Sequence, residues 1–175
     1  MRYLTSFLLA FALLAGSASM AQITTETSDL TGVKRIESKS MRSLDVQKYA
    51  GSSASYRAAY VNDPDEGISW VISFYGFTKE KTQVSRSNQF QIIADGKPYE
   101  PVRLESKSRS IDNSLLEIKR AMFPRAAFEK IAHANSVTFS IGGAQFDAIP
   151  PRRSDMRQIL KEVPNNSTPQ TASNR

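Results

Sequence analysis

Apolar residues recur along this chain at two periods. In residues 68–77, ISWVISFYGF, Ile68, Trp70, Ile72 and Phe74 alternate on one face, with Val71, Tyr75 and Phe77 on the other. A segment apolar on both faces predicts a strand covered on both sides, or one with a side lining a pocket. Just before it, SYRAAYV sets Tyr56, Ala58 and Tyr60 on one face, and the intervening NDPDEG has turn composition, so the pair predicts a hairpin. Further on, QFQIIAD places Phe90, Ile92 and Ala94 together, and Asp95-Gly96 supplies a two-residue hairpin turn into KPYEPVRLES. Pro98 and Pro101 lack an N–H and put that return strand late or at an edge.

Residues 114–122, SLLEIKRAM, predict another strand, packed through Leu116, Ile118 and Met122. VKRIESKSM, residues 33–41, carries a sparser version of the pattern, and VTFSIGGAQFDAI predicts two strands about Gly142-Gly143. Between these the period changes. After Pro124, Ala127, Phe128, Ile131 and Ala132 form a helical stripe that Asn135 would stop in a left-handed conformation. A second helix is expected from Ser154 as N-cap, with Met156, Ile159, Leu160 and Val163 on its apolar face. The expected fold is α+β: a twisted, mainly antiparallel sheet of about 6–8 strands with two short helices in the C-terminal half. The alternative is a β-sandwich or barrel with peripheral helices.

The ends differ from this middle. Arg2, an apolar run over residues 4–14 and small residues over 16–21 form the three parts of a secretory signal peptide. The run would reach roughly 16 Å as a helix, about half of a bilayer's hydrocarbon thickness. Ser19 and Ala21 fit a small-x-small cleavage site, so cleavage is expected after Ala21. Residues 22–31 read as a flexible leader, 32–163 as one globular domain, and 164–175 as a disordered, proline-punctuated tail. Two glycosylation sequons over residues 165–168 matter only in a eukaryotic secretory pathway.

Composition narrows the chemistry. The 175 residues include no Cys and one His, which excludes thiol catalysis, disulfides and cysteine-bound zinc. The formal charge of +6 becomes +5 when Arg2 leaves with the signal segment. Its basic residues are interleaved with serines and acids, as in KEKTQVSRS (79–87) and RLESKSRS (103–110), which reads as solvated surface or, alternatively, as a surface for an anionic partner. Asp63, Asp65 and Glu66 fail the calcium-loop spacing, because Gly67 stands one position early and no glutamate closes the loop. His133 has no recognisable partner in sequence, no Gly-x-Ser-x-Gly elbow supports a nucleophile, and Gly142-Gly143 lacks the following Lys of a phosphate loop.

These observations describe an exported, non-enzymatic protein, secreted or periplasmic, that uses no cofactor or metal and does not bind nucleic acid. It would bind an envelope or extracellular protein, or an anionic surface, through a sheet edge or its basic strands. Two other readings compete: a carrier of a small apolar or anionic ligand held between sheet and helices, and a hydrolase with a dispersed site. The residues singled out for ligand or partner contact are Tyr75, Phe77, Tyr56 and Tyr60, because aromatics left uncovered on such a strand would line a pocket or a partner surface. For export, replacing Leu8 and Leu9 by Arg is expected to leave uncleaved precursor in the cytoplasm, read by fractionation and intact mass; normal secretion of that variant would contradict the signal-peptide reading.

Overall fold

A strand with two apolar faces needs partners on both edges and cover on both sides. The computed structural model describes residues 23–46, 49, 51, 53–148 and 153–163, and puts this strand in the interior of the sheet. The signal segment, its cleavage point after Ala21 and the tail 164–175 lie outside the described residues. In chain order the first strands are β1 (Ile23–Thr27), β2 (Lys34–Ser38), β3 (Arg42–Val46), β4 (Ser53–Asp63) and β5 (Gly67–Thr78). After the short helix α1 (Gln83–Arg86) come β6 (Phe90–Ala94), β7 (Lys97–Tyr99), β8 (Arg103–Ile111) and β9 (Ser114–Phe123). Helix α2 (Arg125–His133), β10 (Val137–Ile141), β11 (Ala144–Ala148) and α3 (Ser154–Glu162) complete the domain.

The strands pair antiparallel in the order β7-β6-β10-β11-β3-β4-β5-β9-β8. Strand β4 is long enough to hold two partners on one edge: β3 at its start, with Arg42 opposite Tyr56, and β2 further on, with Ile36 opposite Tyr60. Strand β1 extends the β2 branch. The β3 branch curls over the inner face of β4 and β5, where Phe146 meets Phe74 at 4.8 Å and Phe139 meets Tyr56 at 5.4 Å between ring centroids. Trp70 packs on Phe128 of α2 at 5.1 Å, with the Arg125 guanidinium 4.8 Å from the Trp70 ring. Helix α3 packs across β1, β2 and β4 and against α2.

The result combines both expected architectures: an antiparallel sheet with helices, curled into a half-barrel. The described residues contain eleven strands and three helices, more than expected, because several strands are short or polar. The supposed leader over 22–31 holds β1, paired with β2 from Ile23 opposite Ser38 to Thr27 opposite Lys34. An edge strand needs backbone partners more than apolar side chains, so its sequence shows little period. KPYEPVRLES does not form one strand; it splits at Pro101 into β7 and β8, which stand at opposite ends of the sheet order.

Strand β9 faces the other way. Leu116 and Ile118 pair beside Phe77 and Tyr75 on the outer face, whereas Glu117, Lys119, Ala121 and Phe123 are buried on the inner one. Asn135 is not left-handed. Helix α2 ends at Ala134 in extended backbone, and Asn135 N–H donates to the Asp95 carboxylate at 2.9 Å, while Asp95 itself takes the positive φ of 48° in the β6–β7 turn. The α2 terminus is also met by buried Arg153, which donates to Asn135 O at 2.9 Å. Ser154 is the first helical residue of α3, with Arg153 in the capping position.

Candidate functional site

The sheet order begins at β7 and finishes at β8, so the curl leaves a seam. Residues 82–89, which link β5 to β6, lie across it. Thr82 caps α1: its Oγ1 accepts from Val84 N–H at 3.1 Å and donates to Glu117 Oε2 at 2.7 Å, while Thr82 N–H donates to Glu117 Oε1 at 2.8 Å. Tyr49 Oη donates to the same carboxylate at 3.0 Å. Gly76, opposite Glu117 in the sheet, leaves the room: a Cβ there would collide with the Tyr49 hydroxyl. A glycine inside a strand commonly marks such a close approach.

Lys119 secures the other end of the segment. Its Nζ donates to Ser87 O at 2.6 Å and to Ser106 Oγ of β8 at 2.8 Å. On the far side of the seam, Gly142 in the β10–β11 turn has φ +56° and would bring a Cβ within 2.7 Å of Gln83 O, and its N–H donates to Gln89 O at 3.2 Å. Residues 82–89 thus act as a clasp between β9 and the β10–β11 turn. Beside the clasp lies a cleft of 1060 Å³ lined by Lys79, Lys81 and Arg86, with Glu80 the one carboxylate among its described lining residues. A second recess of 570 Å³ continues past Asn88 and Gln89 towards Glu100, Pro101 and Leu104 along the seam.

The edge beside this seam is open. β8 pairs with β9 alone among the described strands, and seven of its nine residues are exposed. Arg103, Glu105, Lys107 and Arg109 alternate along it on the outer face. Glu105 is held by Arg103 at 2.9 Å and by Arg120 at 3.3 Å, so its charge is engaged within the sheet. Two exposed apolar side chains flank or end the strand: Val102, 73% exposed, and Ile111, 39% exposed.

The four aromatics expected to make contacts divide between two faces. Tyr56 and Tyr60 are core residues, 0% and 4% exposed, on the inner face with Phe74 and Trp70. Tyr75 and Phe77 are half-buried on the outer face, opposite Ser55 and Ser53. His133 is exposed at the end of α2. Asp63 closes the β4–β5 turn, its Oδ1 accepting from Asp65 N–H at 2.8 Å and Glu66 N–H at 3.2 Å, while Glu66 pairs with Arg103 at 3.1 Å. Among the described residues no group of three His, Asp or Glu is placed to hold a metal. Tyr49, Thr82, Glu117 and Lys119 escape sequence reading because β9 satisfies a period-two pattern in either orientation; Gly76 inside an aromatic strand is their one visible trace.

Comparison with protein-family models, curated proteins and solved structures finds no match to this chain.

Burial, reinforced by the Glu117 charge and by the hydrogen bond to it, pushes the Tyr49 hydroxyl well above the ordinary tyrosine range. Above about pH 10 the unfolded chain releases a proton that folded Tyr49 retains, so stability falls as pH rises further. Tyr49→Phe is expected to flatten that fall, read as urea unfolding free energies at about pH 9 and about pH 11. An unchanged pH slope in the variant would show that Tyr49 is not buried against Glu117.

Proposed function

We propose that this is an exported, non-enzymatic binding protein that takes an extended, acidic segment of an envelope or extracellular partner along β8. The observation that carries the reading is the nine-residue β8 edge, paired on one side only among the described strands and bearing Lys107 and Arg109, while Arg103 and Glu105 pair with each other. Exposed edges of this length invite another strand, whose main-chain hydrogen bonds supply affinity while side chains select the partner. Here the selection is by charge, since Glu105 is already engaged by two arginines. Val102 and Ile111 add apolar contacts at the two ends. Two copies joined through β8 would bring basic residues against one another, which disfavours self-pairing.

The second reading, a carrier, is favoured in its anionic form by the 1060 Å³ cleft beside the clasp, where Lys79, Lys81 and Arg86 outnumber Glu80. The apolar form has less support, because Tyr56, Phe74, Phe128, Phe139 and Phe146 fill the space within the curl.

A ten-residue alternating Glu-Thr peptide is the direct probe. Binding is expected to shift β8 amide resonances first, to weaken as salt screens exposed charges, and to fall at least tenfold in Lys107→Glu/Arg109→Glu. Shifts confined to the Lys79, Lys81 and Arg86 cleft would favour the carrier reading, and equal affinity in the double variant would remove the β8 reading.

A further inference from the structure

The outer face of the sheet carries an arrangement that the β8 reading does not use. Arg57 on β4, Ser73 on β5 and Arg120 on β9 are direct cross-strand neighbours in one row. The two arginine Cα atoms are therefore about 10 Å apart, twice the interstrand spacing, with a small hydroxyl side chain between them. A recess of 130 Å³ lies over this row, bordered by Arg35, Tyr75 and the floor residue Val71 as well as by the row itself.

Each guanidinium is only partly engaged. Arg57 donates through one terminal nitrogen to Glu37 Oε1 at 3.3 Å, and its Nε is shielded from solvent without a hydrogen-bond partner. Arg120 donates through one terminal nitrogen to Glu105 Oε2 at 3.3 Å. Both acids are shared, Glu37 with Arg35 at 3.9 Å and Glu105 with Arg103 at 2.9 Å. Within the recess, Glu37 is the one described carboxylate among three arginines. Two guanidiniums that border one recess and keep spare N–H donors can meet the oxygens of phosphate, sulfate or carboxylate. Leaving a shielded donor without an acceptor is costly, and an anion seated in the recess would supply one to Arg57 Nε.

We propose that Arg57, Ser73 and Arg120 form a receptor for a single compact oxyanion group on the outer face of the sheet. The central strands hold both arginines in place, so binding needs no rearrangement of the fold. The recess has room for a group of a few heavy atoms, which suits the charged end of a small ligand.

Two measurements test this. In ¹H–¹⁵N spectra of the full chain, sodium sulfate added at constant ionic strength is expected to shift the Arg57 Nε–H signal saturably, with sodium chloride giving no such curve. Parallel titrations with phosphate and acetate identify whether a tetrahedral or a planar oxyanion binds more tightly. Ser73→Asp places a carboxylate in the row covalently and is compared with the uncharged isostere Ser73→Asn. The Asp variant is expected to melt a few degrees above the Asn variant at neutral pH, to lose that advantage once its carboxylate is protonated, and to lose the sulfate response. A sulfate shift that does not saturate, or that persists undiminished in Ser73→Asp, overturns the proposal; so does an Asp variant no more stable than the Asn variant.

Discussion

The Glu117 carboxylate is the constraint on which the seam depends. It is fully buried on the inner face of β9, where a charge without partners would cost several kcal/mol. Two donors from Thr82 and one from Tyr49 satisfy it. Those bonds draw two separate loops onto the sheet, and Gly76 leaves the space in which Tyr49 reaches its acceptor. Lys119, two residues along the same face, fixes the end of the same clasp through Ser87 O. Burial lowers the Lys119 pKa, opposed by the nearby Glu117 charge, so the two ions support each other inside the fold. Polar groups on the core side of β9 thus do what strand pairing does elsewhere in the sheet: they hold its curled ends in a fixed relation.

That arrangement explains how a long edge survives. A closed barrel would have no edge at β8, and a flat sheet would present it to any neighbour. The clasp takes up one end of the seam and the link through Pro101 the other, leaving β8 supported from behind by β9 and charged along its outer face. Along that face Arg103, Glu105, Lys107 and Arg109 alternate, so the exposed edge carries charge rather than apolar side chains.

Much of the fold was legible from side-chain period and turn chemistry. The β4–β5 hairpin follows from alternating apolar residues around an Asp- and Gly-rich turn, and the Asp95-Gly96 and Gly142-Gly143 turns carry positive φ as their sequences imply. Helices α2 and α3 bury the stripes expected of them, through Phe128, Ile131 and Ala132 and through Met156 and Ile159. What escaped was set by tertiary context. β1 is held by backbone pairing with few apolar contacts, and the facing of β9 depends on its register against β5, which places polar residues inside because partners from distant loops are there to receive them. The four aromatics of the central hairpin looked alike in sequence, yet the pleat sends Tyr56 and Tyr60 into the core and Tyr75 and Phe77 to the opposite face.

Among the described strands β8 is an open edge braced from one side by β9. Residue-resolved amide hydrogen exchange on the monomer tests it most directly. Alternation is expected along β8, with every second amide exchanging quickly and the others, paired to β9, protected along with the interior amides of β5 and β9. Uniform protection across β8 in the monomer would show instead that another part of the chain covers the edge and that β8 is not open.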